Sequence, residues 1–255
     1  MDSNEKYTEE TVLWLKRHSA KHLTFAINRP ESYRFSAGQF SRLGFRDGDG
    51  FIWRAYSVIS AEYAETLEYF VVLIEGGPMS ARFAQLAEGD TVLLDKTAQG
   101  FFLPERFADG RDLVMLATGS GIAPFLSIIQ QPEIWQRFET LALAHSVSYR
   151  SESVFDGFIR SLADHPLVGE YYEKLRFVQV TTRESGEGLH FRLPESLRNG
   201  SLSAALNLPF SKENSRFMLC GNPTMVQDTF KALMNMGFAM HRNRIPGQIM
   251  MENGF

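Results

Sequence analysis

The chain carries one cysteine, Cys220, in 255 residues. That excludes an internal disulfide, and it excludes a cluster held by four thiolates of this chain. Long apolar runs are missing as well. Stretches such as Phe70-Val71-Val72-Leu73-Ile74 are far too short to cross a bilayer, so no membrane contact is expected. Neither sign of charge dominates: 26 Lys and Arg stand against 30 Asp and Glu, a formal net charge of -4. A global electrostatic grip on nucleic acid is therefore not expected, although a local basic patch stays open. The six histidines form no metal-ligand pattern. His18 and His22 are four apart with nothing nearby to complete a site, so no metal is expected. There is no serine-triad motif, internal repeat or low-complexity tract. The opening residues Met1–Lys6 are polar and hold no apolar signal core. These absences predict a reduced, cytoplasmic protein. No helical stripe demands a partner, which predicts a monomer.

What is present is ordinary globular material, 44% hydrophobic and 22% charged, enough for one large or two modest domains. The first hundred residues are β-prone. Leu23–Ile27, Ile52–Val58 and Leu67–Leu73 are short strand-like runs, separated by turn clusters at Asp47-Gly48-Asp49-Gly50 and Gly76-Gly77-Pro78. Such spacing predicts a small antiparallel barrel, interrupted by a helix over Ser80–Leu86 that stops at Gly89. Beyond Pro104 strands alternate with helices. The strands fall at Asp112–Ala117, Thr140–Ala144, Leu175–Val180 and Arg216–Cys220. The helices fall after Pro124, near Phe155–Leu162 and over Thr224–Met236. That alternation predicts a doubly wound parallel sheet. The boundary falls between Phe101 and Arg111, giving domains 1–104 and 105–255.

Four segments carry candidate chemistry. Arg54-Ala55-Tyr56-Ser57 offers a cation, an aromatic face and a hydroxyl in four residues. A flavin needs such a set, but strand alternation puts Arg54 and Tyr56 on one face and Ser57 on the other, so a ligand must lie across a strand end. Alone, these residues more simply describe a strand with one exposed Arg and a half-buried Tyr. Gly76-Gly77-Pro78-Met79-Ser80 reads either as a capped helix start, with Ser80 as N-cap, or as a phosphate cradle at that start. Thr118-Gly119-Ser120-Gly121 follows a buried strand and precedes a helix, the context of a dinucleotide turn, with Pro124 where a third glycine would stand. Cys220-Gly221-Asn222-Pro223 repeats strand-then-glycine, and in a parallel sheet both turns lie at the ligand-binding carboxyl edge. A lone cysteine there is otherwise a small buried hydrophobe. Arg183 and Arg192, with Thr181, Thr182 and Ser185, suit a phosphate on the adenosine ribose, unless they are simply solvated surface.

In order and spacing these segments resemble the ferredoxin–NADP reductase family, closest to its bacterial type, over nearly the whole chain. The resemblance implies a six-stranded antiparallel FAD-binding β-barrel followed by a doubly wound NADP-binding α/β domain. It implies that Arg54 meets the FAD pyrophosphate, that Tyr56 stacks on the isoalloxazine beside Ala55, and that Ser57 lies near flavin N5. Phe70, Val71, Val72 and Leu73 would line the flavin, and Gly77, Met79 and Ser80 the pyrophosphate. Thr118, Gly119, Ser120 and Gly121 would border the nicotinamide path, with Gly221, Asn222, Pro223 and Met225 opposite. Thr182, Arg183 and Arg192 would clamp the 2′-phosphate. Arg150 would join them, because Ser148 stands where a subgroup has an arginine. The tail Met250–Phe255 would return to the flavin, with Gly254 on its far face and Phe255 on the adenine. Ser57, Cys220 and Glu252 would form the polar trio at the transfer site. The implied activity is electron transfer between NADPH and a ferredoxin or flavodoxin through FAD. The alternatives are a reductase component of an oxygenase, a free flavin reductase or, from another class, a passive nucleotide-binding redox sensor.

Overall fold

The computed structural model describes residues 6–185 and 188–253. They form two compact units, one spanning Met1–Leu103 with Ala123–Ile128 and the other Pro104–Ile122 with Ile129–Phe255.

The first unit holds six antiparallel strands: β1 (Tyr7–Arg17), β2 (His22–Asn28), β3 (Phe40–Asp47), β4 (Gly50–Ser57), β5 (Thr66–Val72) and β6 (Thr91–Asp95). Their order is β4-β3-β6-β1-β2-β5. The sheet curls until its two edges meet at a Val58–Tyr69 bridge, reinforced by the Ile59 N–H on the Glu68 carbonyl at 2.9 Å. The interior is apolar, built on Val12, Phe25, Ile27, Leu43, Leu67, Val71, Phe83 and Leu94. Three strands lack a clear sequence signature. Along β1 there is no clean alternation: Leu13 and Trp14 face solvent together with Glu9, Thr11, Lys16 and Arg17, while Glu10 is buried. β3 carries Arg42 and Arg46 on its exposed face, and β6 is only five residues long. Within the barrel, Tyr33 and Tyr69 both hydrogen-bond the buried Ser41 hydroxyl, at 2.7 and 2.8 Å.

Two helices belong to this unit. Helix α1 (Pro78–Gln85) starts earlier than expected. Pro78 fixes φ for the first helical position and Gly77 is the extended N-cap, so Ser80 sits a turn inside. The Ser80 hydroxyl instead accepts the Ile74 N–H at 2.8 Å. Helix α2 (Ala123–Ile128) lays Phe125 against Phe102, with ring centroids 5.6 Å apart, and Ser127 donates to the Ser60 carbonyl at 2.7 Å.

The second unit is built on five parallel strands: β7 (Asp112–Thr118), β8 (Thr140–Val147), β9 (Leu175–Thr181), β10 (Ser215–Gly221) and β11 (Ile249–Asn253). Their order, β11-β10-β7-β8-β9, reverses direction between β7 and β10. β7, β8 and β10 are almost wholly buried, which is why they read as continuous apolar runs. Helices α3 (Pro132–Arg137), α4 (Asp156–Ser161), α5 (Leu193–Arg198), α6 (Ser201–Ala205) and α7 (Pro223–Asn235) connect them. Val226 and Leu233 of α7 join Leu193, Leu197 and Phe217 in the core on one face. Part of the expected tail, Met250–Glu252, is a sheet strand, with Cys220 opposite Glu252 in register.

Candidate functional site

The reversal of strand order places two loop mouths side by side, the place where ligands bind open α/β sheets. The Thr118–Gly121 turn leaves β7, and Gly221-Asn222 leaves β10. A Cβ on Gly121 would lie 2.3 Å from the Cys220 carbonyl oxygen, and one on Gly221 2.2 Å from Thr118 Oγ1. Only glycines let these backbones pack this closely. Gly221 also has φ +139, a value side chains rarely adopt. Thr118 Oγ1 accepts the Asn222 N–H at 2.9 Å, sewing one turn to the other. The Asn222 side chain caps α7, accepting from the Thr224 and Met225 amides at 3.0 and 3.3 Å, and Pro223 fills the first helical position. Thr118 and Asn222 therefore give their side-chain acceptors to the scaffold. Gly119 is exposed, and its carbonyl accepts from His145 Nε2 at 3.0 Å. Sequence reasoning missed this anchor; its signal was a histidine near the end of a buried strand.

Cys220 and Glu252 stand side by side at this edge. Cys220 is 2% exposed, and its thiol is pushed far up, first by burial and then by the Glu252 carboxylate. Burial raises Glu252 from 4.5 to about 7, so its proton is exchangeable near neutrality.

Three of the four expected phosphate residues, Arg150, Thr182 and Arg183, lie at the β8 and β9 ends. Thr182 and Arg183 follow β9, and Arg150 follows β8. A cavity of about 490 Å³ is lined by Arg150, Phe177, Val178, Gln179, Thr181, Gly188, Leu189 and Ala205. Gln179 Nε2 is buried with no hydrogen-bond partner among the described residues. An orphan donor beside an arginine and a threonine fits a ligand that brings acceptors. Arg192 is exposed at the N-cap of α5. Two carboxylates, Glu152 and Glu184, were not anticipated here; Glu152 accepts the Ser148 and Tyr149 amides and Glu184 the Arg150 amide.

In the barrel unit, Arg54 is exposed and donates to the Trp53 carbonyl at 2.8 Å. Tyr56 is half-buried, edge-on to Phe83 at 5.2 Å, and desolvation pushes its phenol up to about 12. Its hydroxyl is a neutral donor at any working pH. Ala55 and Ser57 are half-buried toward the end of the same strand. Phe70 stacks on His22, with centroids 5.9 Å apart, and Val71 lies in the barrel core, as does the Met79 side chain. Val72 and Leu73 are half-buried. The first turn of α1 receives no side-chain cap, which leaves its amides suited to an anion such as a pyrophosphate. His18 and His22 are engaged by hydroxyls, His18 with Thr24 and His22 with Ser19, both at 2.9 Å. No group of His, Cys, Asp or Glu among the described residues could hold a metal. No described helix is long and apolar enough to cross a membrane. Gly254 and Phe255 lie outside the described residues.

Two family profiles divide the chain: the oxidoreductase FAD-binding domain matches residues 15–101, and the oxidoreductase NAD-binding domain matches 115–231. A "Ferredoxin--NADP reductase A" of Sorangium cellulosum is 36% identical over 254 residues, covering 98% of this chain and 90% of that protein. A "Flavodoxin/ferredoxin--NADP reductase" of Shigella flexneri is 38% identical over 196 residues, covering 76% and 77%. A crystal structure of a ferredoxin NADP+ reductase from Neisseria gonorrhoeae, with bound FAD and NADP, superimposes with a TM-score of 0.93. It is 62% identical and covers 99% of this chain and 100% of that one. With two loop mouths abutting at the strand reversal, an uncapped helix start on the barrel and relatives matched almost end to end, the chain belongs to the ferredoxin–NADP reductase family.

Proposed function

We propose that this chain is an enzyme passing electrons between NADPH and a ferredoxin or flavodoxin through FAD. The observation that carries the reading is the near-complete overlay on a reductase holding FAD and NADP, at 62% identity. The barrel unit would hold FAD and the wound-sheet unit NADP(H), a division after about residue 104 that only Ala123–Ile128 crosses.

The chemistry supplied by bound FAD is acceptance of a hydride from the nicotinamide and release of electrons one at a time. The protein contributes position and polarity. Arg54 and the uncapped start of α1 would receive the pyrophosphate, with Met79 and Ser80 offering amides there and Gly77, whose own N–H is on the Ile74 carbonyl, allowing close approach. Tyr56, held edge-on by Phe83, would offer its ring as a cover, with Ala55, Ser57 and the segment Phe70–Leu73 lining the flavin. Gly119, Ser120, Gly221, Pro223 and Met225 would border the nicotinamide. Ser57, Cys220 and Glu252 would be the polar groups at the reacting atoms. Of these, Glu252 alone changes charge near neutrality, and the buried Cys220 thiol stays protonated. Arg150, Arg183 and Arg192 would clamp the 2′-phosphate, since guanidinium forks match its geometry, while Thr182, whose hydroxyl donates to the Val147 carbonyl, would hold the loop that bears Arg183.

The partner is a small redox carrier, and the enzyme works as a monomer in the cytoplasm without nucleic acid or membrane. A single buried thiol suits a reducing compartment, and a net charge of -4 gives no general hold on a polyanion. The test is colour and rate. The purified protein is yellow, NADPH bleaches it without oxygen, and flavodoxin or ferredoxin restores the colour. A colourless protein that FAD cannot reconstitute would refute the reading; equal rates with NADH would remove the arginine clamp from it.

A further inference from the structure

The two loops that carry Arg150 and Arg183 are stitched together residue by residue. The Thr182 N–H and hydroxyl both donate to the Val147 carbonyl, at 3.1 and 3.3 Å. The Arg183 N–H donates to the Ser148 carbonyl at 3.0 Å. The next stitch is made by a side chain: Glu184 Oε2 accepts the Arg150 N–H at 2.6 Å. Glu152 Oε2 takes the two preceding amides, Ser148 at 2.8 Å and Tyr149 at 3.3 Å. Three consecutive backbone N–H groups, 148 to 150, thus end on carboxylates.

Two consequences follow. A phosphate arriving here finds no free amide in that turn, so recognition falls on side chains. The separation of Arg150 from Arg183 is then set by how firmly one loop is tied to the other. Forked guanidinium bonds depend steeply on angle and spacing, so loosening the tie weakens the clamp without removing either charge.

We propose that Glu184 is a positioning residue for recognition of the coenzyme's 2′-phosphate, acting by fastening the Arg150 backbone to the loop that bears Arg183. The inference rests on the NADP reading above and adds to it a determinant that carries the wrong charge for direct contact. Glu184 is exposed, so replacing it opens no core, and the backbone stitches at 182 and 183 remain.

The experiment measures binding to the FAD-loaded protein by calorimetry, with 2′,5′-ADP and 5′-AMP as probes. Wild type prefers 2′,5′-ADP. E184A binds 2′,5′-ADP about tenfold more weakly, the worth of one hydrogen bond to a charged acceptor, and 5′-AMP unchanged. E184Q, which keeps an acceptor and loses the charge, binds 2′,5′-ADP at least as tightly as wild type. The KM for NADPH follows the same order while kcat holds. Unchanged 2′,5′-ADP affinity in E184A overturns the proposal. So does equal weakening toward both probes, which would mean general damage to the loop. E184Q as weak as E184A overturns it too, because charge rather than the tie would then matter. A wild type that does not distinguish the two probes would defeat the NADP reading itself, and the proposal with it.

Discussion

Glu252 makes the stability of this protein depend on pH, with a sign that can be worked out. Burial raises the carboxyl from 4.5 to about 7. The folded chain therefore holds a proton that the unfolded chain gives up between those values. Stability is unaffected by this group below about pH 4.5, falls as pH climbs toward 7, and bears the whole penalty above it. A shift of that size corresponds to about 3 kcal/mol at pH 8, and under about 1 kcal/mol at pH 5. Glu252→Gln removes the ionisation and keeps the shape. The assay is equilibrium urea unfolding of the FAD-loaded protein, wild type against variant, near both pH values. The variant is the more stable at the higher pH, by up to that amount, and its advantage shrinks at the lower. An advantage that is absent, or the same at both pH values, would show that the carboxyl is ionised without penalty and is better hydrated than its surroundings imply. The same result would remove the reason to treat Glu252 as an exchangeable proton beside Cys220.

Two further substitutions probe the scaffold. Gly121→Ala forces a methyl to within 2.3 Å of the Cys220 carbonyl, where backbone rather than a pliable side chain must yield. It destabilises by about 1–3 kcal/mol and slows flavin reduction by NADPH, read by urea midpoint and stopped flow. Ser41→Ala strips the shared partner from the hydroxyls of Tyr33 and Tyr69. The expected loss is about 1–3 kcal/mol, with coenzyme discrimination untouched, and a neutral effect on the urea midpoint would mean that the two phenols pair with each other or with water instead.

The central strands of the wound sheet were open to inspection in the amino-acid order because β7, β8 and β10 are buried on both faces, whereas the half-exposed edge strand β11 passed for a tail. Asp112–Ala117 and Arg216–Cys220 have so little polar interruption that their ends are visible within a residue or so of the observed bounds. The barrel was harder. β1 shows solvent Leu13 and Trp14 among its charged and threonine side chains, so no alternation marks its buried face, which is recognisable only once β2 and β6 flank it. The helix start at Gly77 was displaced by a rule in plain view, the fitness of proline for a first turn, which outweighs a serine's liking for the cap. Within the site, glycine turns and arginines announce themselves by residue type. The hold of His145 on Gly119 and of Glu184 on Arg150 spans 26 and 34 positions, and no local pattern encodes it.

The path of the chain through its two units has a bearing on how the protein can be dissected. The stretch Ala123–Ile128 is borrowed by the barrel from the middle of the other half's sequence. A fragment ending near Leu103 would lack the ring that covers Phe102 and the hydroxyl that satisfies the Ser60 carbonyl. Shuffling or grafting of the barrel therefore has to carry that six-residue insert with it, and a single scissile point between the halves does not exist.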